Sequence, residues 1–161
     1  MDTLTSDIIW KALEDVKDPE IPVVSLVEMG IIRRVDVSNH KVVVSMTPTF
    51  SGCPAMHVMQ AAVVERIRQL GAEAVEVKMV LTPPWSSDWI TDEARAKLTA
   101  FGLAPPPRHA GRIEIIFSEQ VTCPYCGSDN TTVKNTFGST LCRAIFYCNN
   151  CQQPFEQFKP L

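Results

Sequence analysis

Apolar residues recur at helical spacing from the start of the chain. Ile8, Ile9, Ala12, Leu13 and Val16 fall on one stripe, which predicts a helix capped at Ser6 and running to about Lys17. Asp18-Pro19-Glu20-Ile21-Pro22 ends it, because proline and the residue before it leave the helical region. After Gly30, Ile31 to Val37 predicts a strand, Ser38-Asn39-His40 a turn, and Lys41 to Thr47 the returning strand of a hairpin. Thr47 to Pro54 is polar and reads as a loop. A second helix follows, with Pro54 in its first turn, Gly71 past its end, and Met56, Met59, Val63, Ile67 and Leu70 on its buried face.

Between Glu73 and Leu81, Val75, Val77 and Met79 alternate with Glu76 and Lys78, the period of a strand. A further helix is predicted from about Thr91 to Phe101, stopped by Gly102. Arg112 to Phe117 alternates like another strand. The resulting fold class is α+β, a small mixed sheet covered by helices. Ala104-Pro105-Pro106-Pro107-Arg108-His109 reads as a stiff linker. It divides the chain into a main domain over 1–104, a linker and strand over 105–120, and a small module over 121–161.

Composition narrows the function classes. At 161 residues, with 45% hydrophobic and 20% charged content, the chain suits one medium domain plus an appendage. Residues 1–104 carry ten basic and fourteen acidic side chains, and residues 105–161 five and four. Neither part has the basic excess of a nucleic-acid binder. No apolar run approaches a membrane span, no signal peptide is visible, and a Gly-rich phosphate loop is missing. Six cysteines, most at metal-ligand spacing, suit a reducing compartment, so the expected location is the cytoplasm.

The strongest motif is Cys123-Pro-Tyr-Cys126 with Cys148-Asn-Asn-Cys151. A two-residue gap lets both thiolates of a turn reach one ion, and two such turns make a closed four-thiolate site for structural zinc. The 21 intervening residues slightly exceed the usual spacing, which a longer hairpin tip would absorb. The module therefore reads as a zinc ribbon. Cys142 lies between the pairs, as a packed thiol or a redox-sensitive spare.

Cys53, between Gly52 and Pro54 at the expected start of the second helix, is the candidate for chemistry. The helix dipole and nearby amide donors there would favour the thiolate, while Gly52 would let a ligand approach. Thr47, Thr49 and Ser51 could hydrogen-bond the sulfur. The opposing reading is an inert buried cysteine. His57, one turn on, would share the helix face with Cys53 and could complete a metal site. Asp18, Glu20 and Glu28 are candidate acids, or ordinary turn residues. Trp85 and Trp89, in a proline-rich loop, either roof the core or form an interaction surface. No Ser/His/Asp set and no carboxylate-rich diiron motif is legible, and a thiol hydrolase built on Cys53 and His57 lacks a third orienting residue.

Asp18-Pro-Glu-Ile-Pro-Val-Val-Ser-Leu-Val-Glu-Met-Gly-Ile-Ile resembles the opening signature of the SufT-like iron–sulfur assembly domain family. Thr47-Pro-Thr-Phe-Ser-Gly-Cys-Pro resembles that family's cysteine loop and places Cys53 at its functional cysteine. The tryptophan loop from Trp85 and the segment Phe137 to Phe158 resemble the PaaD-type subunits of bacterial phenylacetyl-CoA epoxidase systems. The resemblance implies an accessory role in phenylacetate breakdown, not a catalyst on its own. It implies a transient iron or iron–sulfur cluster at Cys53, with Asp18, Glu20, Glu28, Thr47, Thr49, Ser51, Gly52 and His57 as the supporting loop. The expected client is the epoxidase reductase, with the diiron oxygenase subunit as the other candidate. A stoichiometric structural subunit is the alternative role, and a zinc-ribbon nucleic-acid-binding protein is a further one, against which the acidic main domain argues. One cysteine cannot hold a cluster alone, so a homodimer is expected.

Overall fold

A computed structural model describes residues 4–112 and 120–161. The strand expected over Arg112 to Phe117 lies, beyond Arg112, outside the described residues. The chain forms two compact units divided between Trp85 and Ser86.

In the first unit, α1 spans Ser6–Leu13, shorter than the apolar stripe predicts. Its cap is Thr5, whose hydroxyl accepts from the Ile8 N–H. Ser6, the expected cap, instead donates its hydroxyl to the Val35 carbonyl. Strands β1 (Ile32–Ser38) and β2 (Lys41–Met46) form the expected hairpin. Asn39 and His40, at φ 47° and 62°, give the two-residue turn the left-handed backbone that matches strand twist. Helix α2 (Met56–Arg68) then crosses to β3 (Ala74–Met79), which runs parallel to β2. The sheet order β1-β2-β3 is thus mixed, as the pattern predicts.

The core lies between α1, α2 and this sheet. Ile9, Leu13, Val42, Val44, Met46, Val63 and Ile67 are fully buried there. Each such side chain contributes about 1.5–3 kcal/mol relative to exposure. Ile8 of the expected stripe is exposed. Arg66 ties α2 to α1 through the Ala12 carbonyl and an ion pair with Asp15. Alternation in β3 is weak: Val75 and Val77 are only half-buried and Met79 is exposed. Trp85 is buried in this unit, and its indole N–H donates to the Met29 carbonyl at 2.8 Å.

The second unit holds α3 (Asp92–Phe101) and four strands, β4 (Leu103–Ala104), β5 (Thr131–Asn135), β6 (Arg143–Cys148) and β7 (Pro154–Phe158). Thr91 caps α3 and Gly102, at φ 88°, ends it. The strand order is β4-β7-β6-β5. Sequence places a boundary at the prolines after Ala104; in the structure α3 and β4 group instead with the ribbon strands. The reason is pairing: Leu103 and Ala104 align with Glu156 and Gln157 of β7. The proline-rich stretch is also pinned rather than spanning solvent. Arg95 donates to the Pro106 and Ser87 carbonyls, and the Asp88 carboxylate accepts from the His109 and Ala110 N–H groups.

The His40 backbone makes a direct test of the hairpin. Its carbonyl accepts from Glu73 and Ala74, so only the side chain conflicts with its φ. His40→Gly should keep those bonds and stabilise the protein by about 0.5 kcal/mol, the left-handed penalty less the entropy of glycine. A urea-unfolding midpoint that rises with unchanged slope is the expected result.

Candidate metal and thiol sites

The two cysteine turns of the ribbon repeat one backbone pattern. The Cys123 N–H donates to the Ser128 carbonyl, and the Gly127 N–H returns to the Cys123 carbonyl. In the second turn the Cys148 N–H donates to Gln153, and the Gln152 N–H returns to Cys148. Gly127 and Gln152 occupy the same position, both left-handed, at φ 73° and 60°. This geometry curls each main chain around its sulfurs. All four sulfurs then lie within 4.8 Å of one another.

Those separations fit zinc. Zinc–sulfur bonds of about 2.3 Å at tetrahedral angles imply sulfurs about 3.8 Å apart. Cys123 and Cys151 are 3.7 Å apart, and Cys126 and Cys148 are 3.6 Å apart, far beyond a disulfide bond. Asn150 and the Cys151 N–H donate to the Cys126 and Cys148 sulfurs, the kind of bond that steadies thiolate ligands. Bonds from Asn150 and the Ser128 N–H bring the Cys126 thiol down to about 6. A bound zinc ion would cross-link the two turns. The 21-residue gap is filled by β5, a turn and β6, so the register Thr131↔Cys148 brings the pairs together. Cys142 sits just before β6, with its sulfur 3.1 Å from the Thr140 hydroxyl, outside the four-sulfur group.

Cys53 occupies a different setting. The Thr47 N–H donates to the Ile31 carbonyl, anchoring the start of the loop beside the segment that follows the Asp18 turn. The Cys53 N–H then donates to Phe50. Helix α2 starts only at Met56, with Ala55 as its cap, so Cys53 precedes the helix and the premise for pairing it with His57 on one helix face fails. His57 is exposed. Amide donors do reach the sulfur, from Ala55 and Met56. Thr47 is buried, Thr49 half-buried and Ser51 exposed along the loop, but the bonds to sulfur come from the main chain. Gly52 has no left-handed backbone, and a Cβ there would meet only the Phe50 ring at 3.4 Å.

The expected activation of the thiol is corrected by its surroundings. Burial pushes the Cys53 thiol up; the Ala55 and Met56 amides oppose this, and the negative charges of Glu20 and Asp18 add to it. The half-buried sulfur with two carboxylates nearby outweighs the amide donors, so the thiol form is favoured above the ordinary range.

The three acids have separate roles. Asp18 is buried, and its Oδ1 accepts from the Glu20 and Ile21 N–H groups at 2.7 and 3.1 Å. Glu20 is exposed at the tip of that turn. Glu28 forms a reciprocal box with Ser25: Ser25 N–H donates to its carboxylate, and Glu28 N–H donates to the Ser25 hydroxyl. Asp18 and Glu28 are therefore the frame of the loop, and Glu20 is its presented charge.

Sequence reading missed one constellation. Ser86 Oγ lies 3.5 Å from His109 Nε2, and Asp88 lies 3.8 Å from His109 Nδ1. It is not a catalytic triad. Gly111 N–H donates to Nδ1, which places the imidazole proton on Nε2, where it points at the Leu161 carbonyl. No lone pair faces Ser86. Ser86, Asp88 and His109 are spread over 24 positions, and only the pinning of the proline-rich stretch brings them together.

The fold and the two sites define a class: an iron–sulfur cluster assembly domain joined to a zinc ribbon. Residues 6–79 match the model of the iron–sulfur cluster assembly protein family, and residues 115–159 match the PaaD zinc beta ribbon domain. An Escherichia coli protein, named as a candidate component of a 1,2-phenylacetyl-CoA epoxidase, is 38% identical over 94% of this chain and 90% of its own. The chain belongs to the PaaD family. A Staphylococcus aureus iron–sulfur protein maturation auxiliary factor, SufT, is 32% identical over 50% of this chain and 93% of its own. Among solved structures, a domain of unknown function from Bacillus anthracis is 29% identical, with a TM-score of 0.54 over 57% of this chain and 89% of that one. A conserved hypothetical protein from Thermotoga maritima is 27% identical, with a TM-score of 0.53 over 61% and 97%. Among the described residues, no helix is long and apolar enough to cross a membrane.

Two outcomes check these sites. Cys126→Ser should release the metal and loosen 121–161, seen as lost zinc in elemental analysis and faster amide exchange confined to the ribbon; full zinc retention would refute the four-cysteine site. For Cys53, neutralising a carboxylate favours the thiolate. Glu20→Gln should therefore shift its alkylation profile to lower pH, followed by mass spectrometry of the Cys53 peptide.

Proposed function

We propose that this protein is an accessory component of a phenylacetyl-CoA epoxidase system and matures the iron–sulfur cluster of the reductase subunit. The observation that carries the reading is the setting of Cys53: a half-buried thiol, two main-chain donors, and Glu20 and Asp18 as charges. Iron or a nascent cluster is the cargo. Metal binding displaces the thiol proton, so a thiol held above its ordinary range binds weakly at neutral pH and releases readily. That property suits transfer rather than storage. One cysteine supplies one ligand where a cluster commonly needs four. The others would come from the client's own cysteines, a small thiol or a second copy of this chain. The reading places the protein in the cytoplasm, where its thiols stay reduced. The zinc ribbon would dock the client, the reductase in first place and the diiron oxygenase subunit in second.

The relationship to a protein named as an epoxidase component, across nearly the full length of both chains, favours a second reading. Here the chain is a stoichiometric structural subunit and Cys53 merely packs.

The iron and acid-labile sulfide of the reductase separate the two. Reductase is purified from cells with this protein intact, deleted, or carrying Cys53→Ala. Loss of cluster in both altered strains is expected. Full loading in all three would refute maturation of this client, and co-purification with the oxygenase at fixed ratio would then establish the structural role.

A further inference from the structure

The sheet of the first unit ends on β3. Among the described residues, β3 has β2 on one side and no strand on the other. The opposite edge strand, β1, carries a bulge between Ile32 and Arg34, an irregularity that blunts an edge. β3 has none: its register with β2 runs unbroken from Lys41↔Ala74 to Met46↔Met79. The Ala74 and Val80 N–H groups donate to the His40 and Met46 carbonyls. Successive residues of a regular strand bond to opposite sides, so Val75, Val77 and Met79 turn their N–H and C=O groups toward the free edge. Their side chains share the face of the buried Val42, Val44 and Met46, and Glu76 and Lys78 share the other face. Beside Val77, α2 leaves a groove of about 790 Å³ lined by Ala61, Val64, Glu65 and Arg68.

We propose that β3 pairs antiparallel with the β3 of a second copy, about a two-fold axis at Val77. The strand reads Val75-Glu76-Val77-Lys78-Met79, which is its own complement. About that axis Glu76 of each copy stands opposite Lys78 of the other. Val75 stands opposite Met79, Val77 meets Val77, and each of these apolar pairs exchanges both edge hydrogen bonds. The charged pairs fall between them, at the closer spacing, where opposite charges directly across are favourable. An axis one residue away, at Glu76 or Lys78, would oppose like charges, and an axis between residues would set outward amides against inward ones. The groove has the same property: Glu65 and Arg68 line it with both signs, so each copy offers a base for the acid of the other.

This dimer does not complete the Cys53 site. The cysteine loop leaves the Met46 end of β2, beside Met79 of β3. In the antiparallel pair those two ends stand about 13 Å apart along the strands and three strand spacings of about 4.8 Å across them. Thiolates on one ion sit about 4 Å apart. On the reading of Cys53 as a ligand, the remaining ligands therefore come from the client or a small thiol; the surface itself does not rest on that reading.

Sedimentation equilibrium of the zinc-loaded full-length protein, across micromolar concentrations, should show a monomer–dimer equilibrium. Lys78→Glu opposes like charges in both pairs and should weaken the dimer about tenfold or more, and Glu76→Lys should do the same. An equal mixture of the two variants should favour the heterodimer in native mass spectrometry, because opposite charges face each other again. Combining Glu76→Lys with Lys78→Glu in one chain should restore the homodimer. Amide exchange needs no variant: at Val75, Val77 and Met79 it should slow as concentration rises. Circular dichroism shows which variants fold, and if neither single variant does, the exchange decides. A wild-type monomer throughout, a dimer equally stable in both folded single variants, or exchange at Val77 that ignores concentration would overturn the proposal. No iron, cluster or client enters these assays, so their failure is distinct from failure of the maturation reading, which reductase loading tests.

Discussion

Asp18 is a carboxyl group placed where water hardly reaches it. A polar group in that position must be hydrogen-bonded, because an unmet acceptor costs about 1–3 kcal/mol. Its Oδ1 is satisfied by two successive N–H groups of its own turn. That requirement dictates the turn, since only this backbone course brings both amides to one oxygen. The turn then presents Glu20, and the Ser25–Glu28 box closes the same segment a few residues later. The prolines at 19 and 22 have no N–H to compete for these acceptors.

The ribbon meets the opposite constraint. One buried apolar cluster holds Ala104, Val121 and Phe155, with Cys123 and Cys148 among them and Phe146 against it. Phe146 and Phe155 stack at 5.8 Å. Two of the four metal-directed cysteines are also core residues, so a bound metal would be linked to the folding of the ribbon. This is why the two turns share one backbone pattern, even at the cost of a left-handed Gln152 where the first turn uses glycine.

The two sites use cysteine in contrasting ways. In the ribbon, Asn150 donates to the Cys126 sulfur and the Cys151 N–H to the Cys148 sulfur, while burial and the neighbouring sulfurs push the Cys151 thiol up, a crowding that a bound cation would offset. At Cys53, a single sulfur is partly withdrawn from water and set beside acids, which disfavours the thiolate. The ionisation of each sulfur thus follows from its neighbours, not from the residue type.

Much of this was legible in the chain. Apolar spacing marks α1, α2 and the hairpin, because those elements bury one face each and periodicity is the direct record of that burial; α3 is marked by Gly102 at its end. The matched Cys-x-x-Cys pairs announced the metal site, because ligand spacing is local. Glu28 and His57 are harder: sequence marks Glu28 as a candidate acid or turn residue and His57 as a polar residue one turn from Cys53, and only coordinates separate a box residue from an exposed side chain. The ionisation of Cys53 was read with the wrong sign, because amide donors are visible as a helix start whereas burial and the charges of Asp18 and Glu20 come from residues more than thirty positions away. The same holds for β4, two residues that become a strand only because β7 lies alongside. Sequence by itself determined the local elements and the ligand pairs, whose causes lie within a few residues. The tertiary structure alone decided the environment of the thiol and the grouping of α3 with the ribbon, since desolvation, long-range charge and strand pairing exist only once distant segments meet.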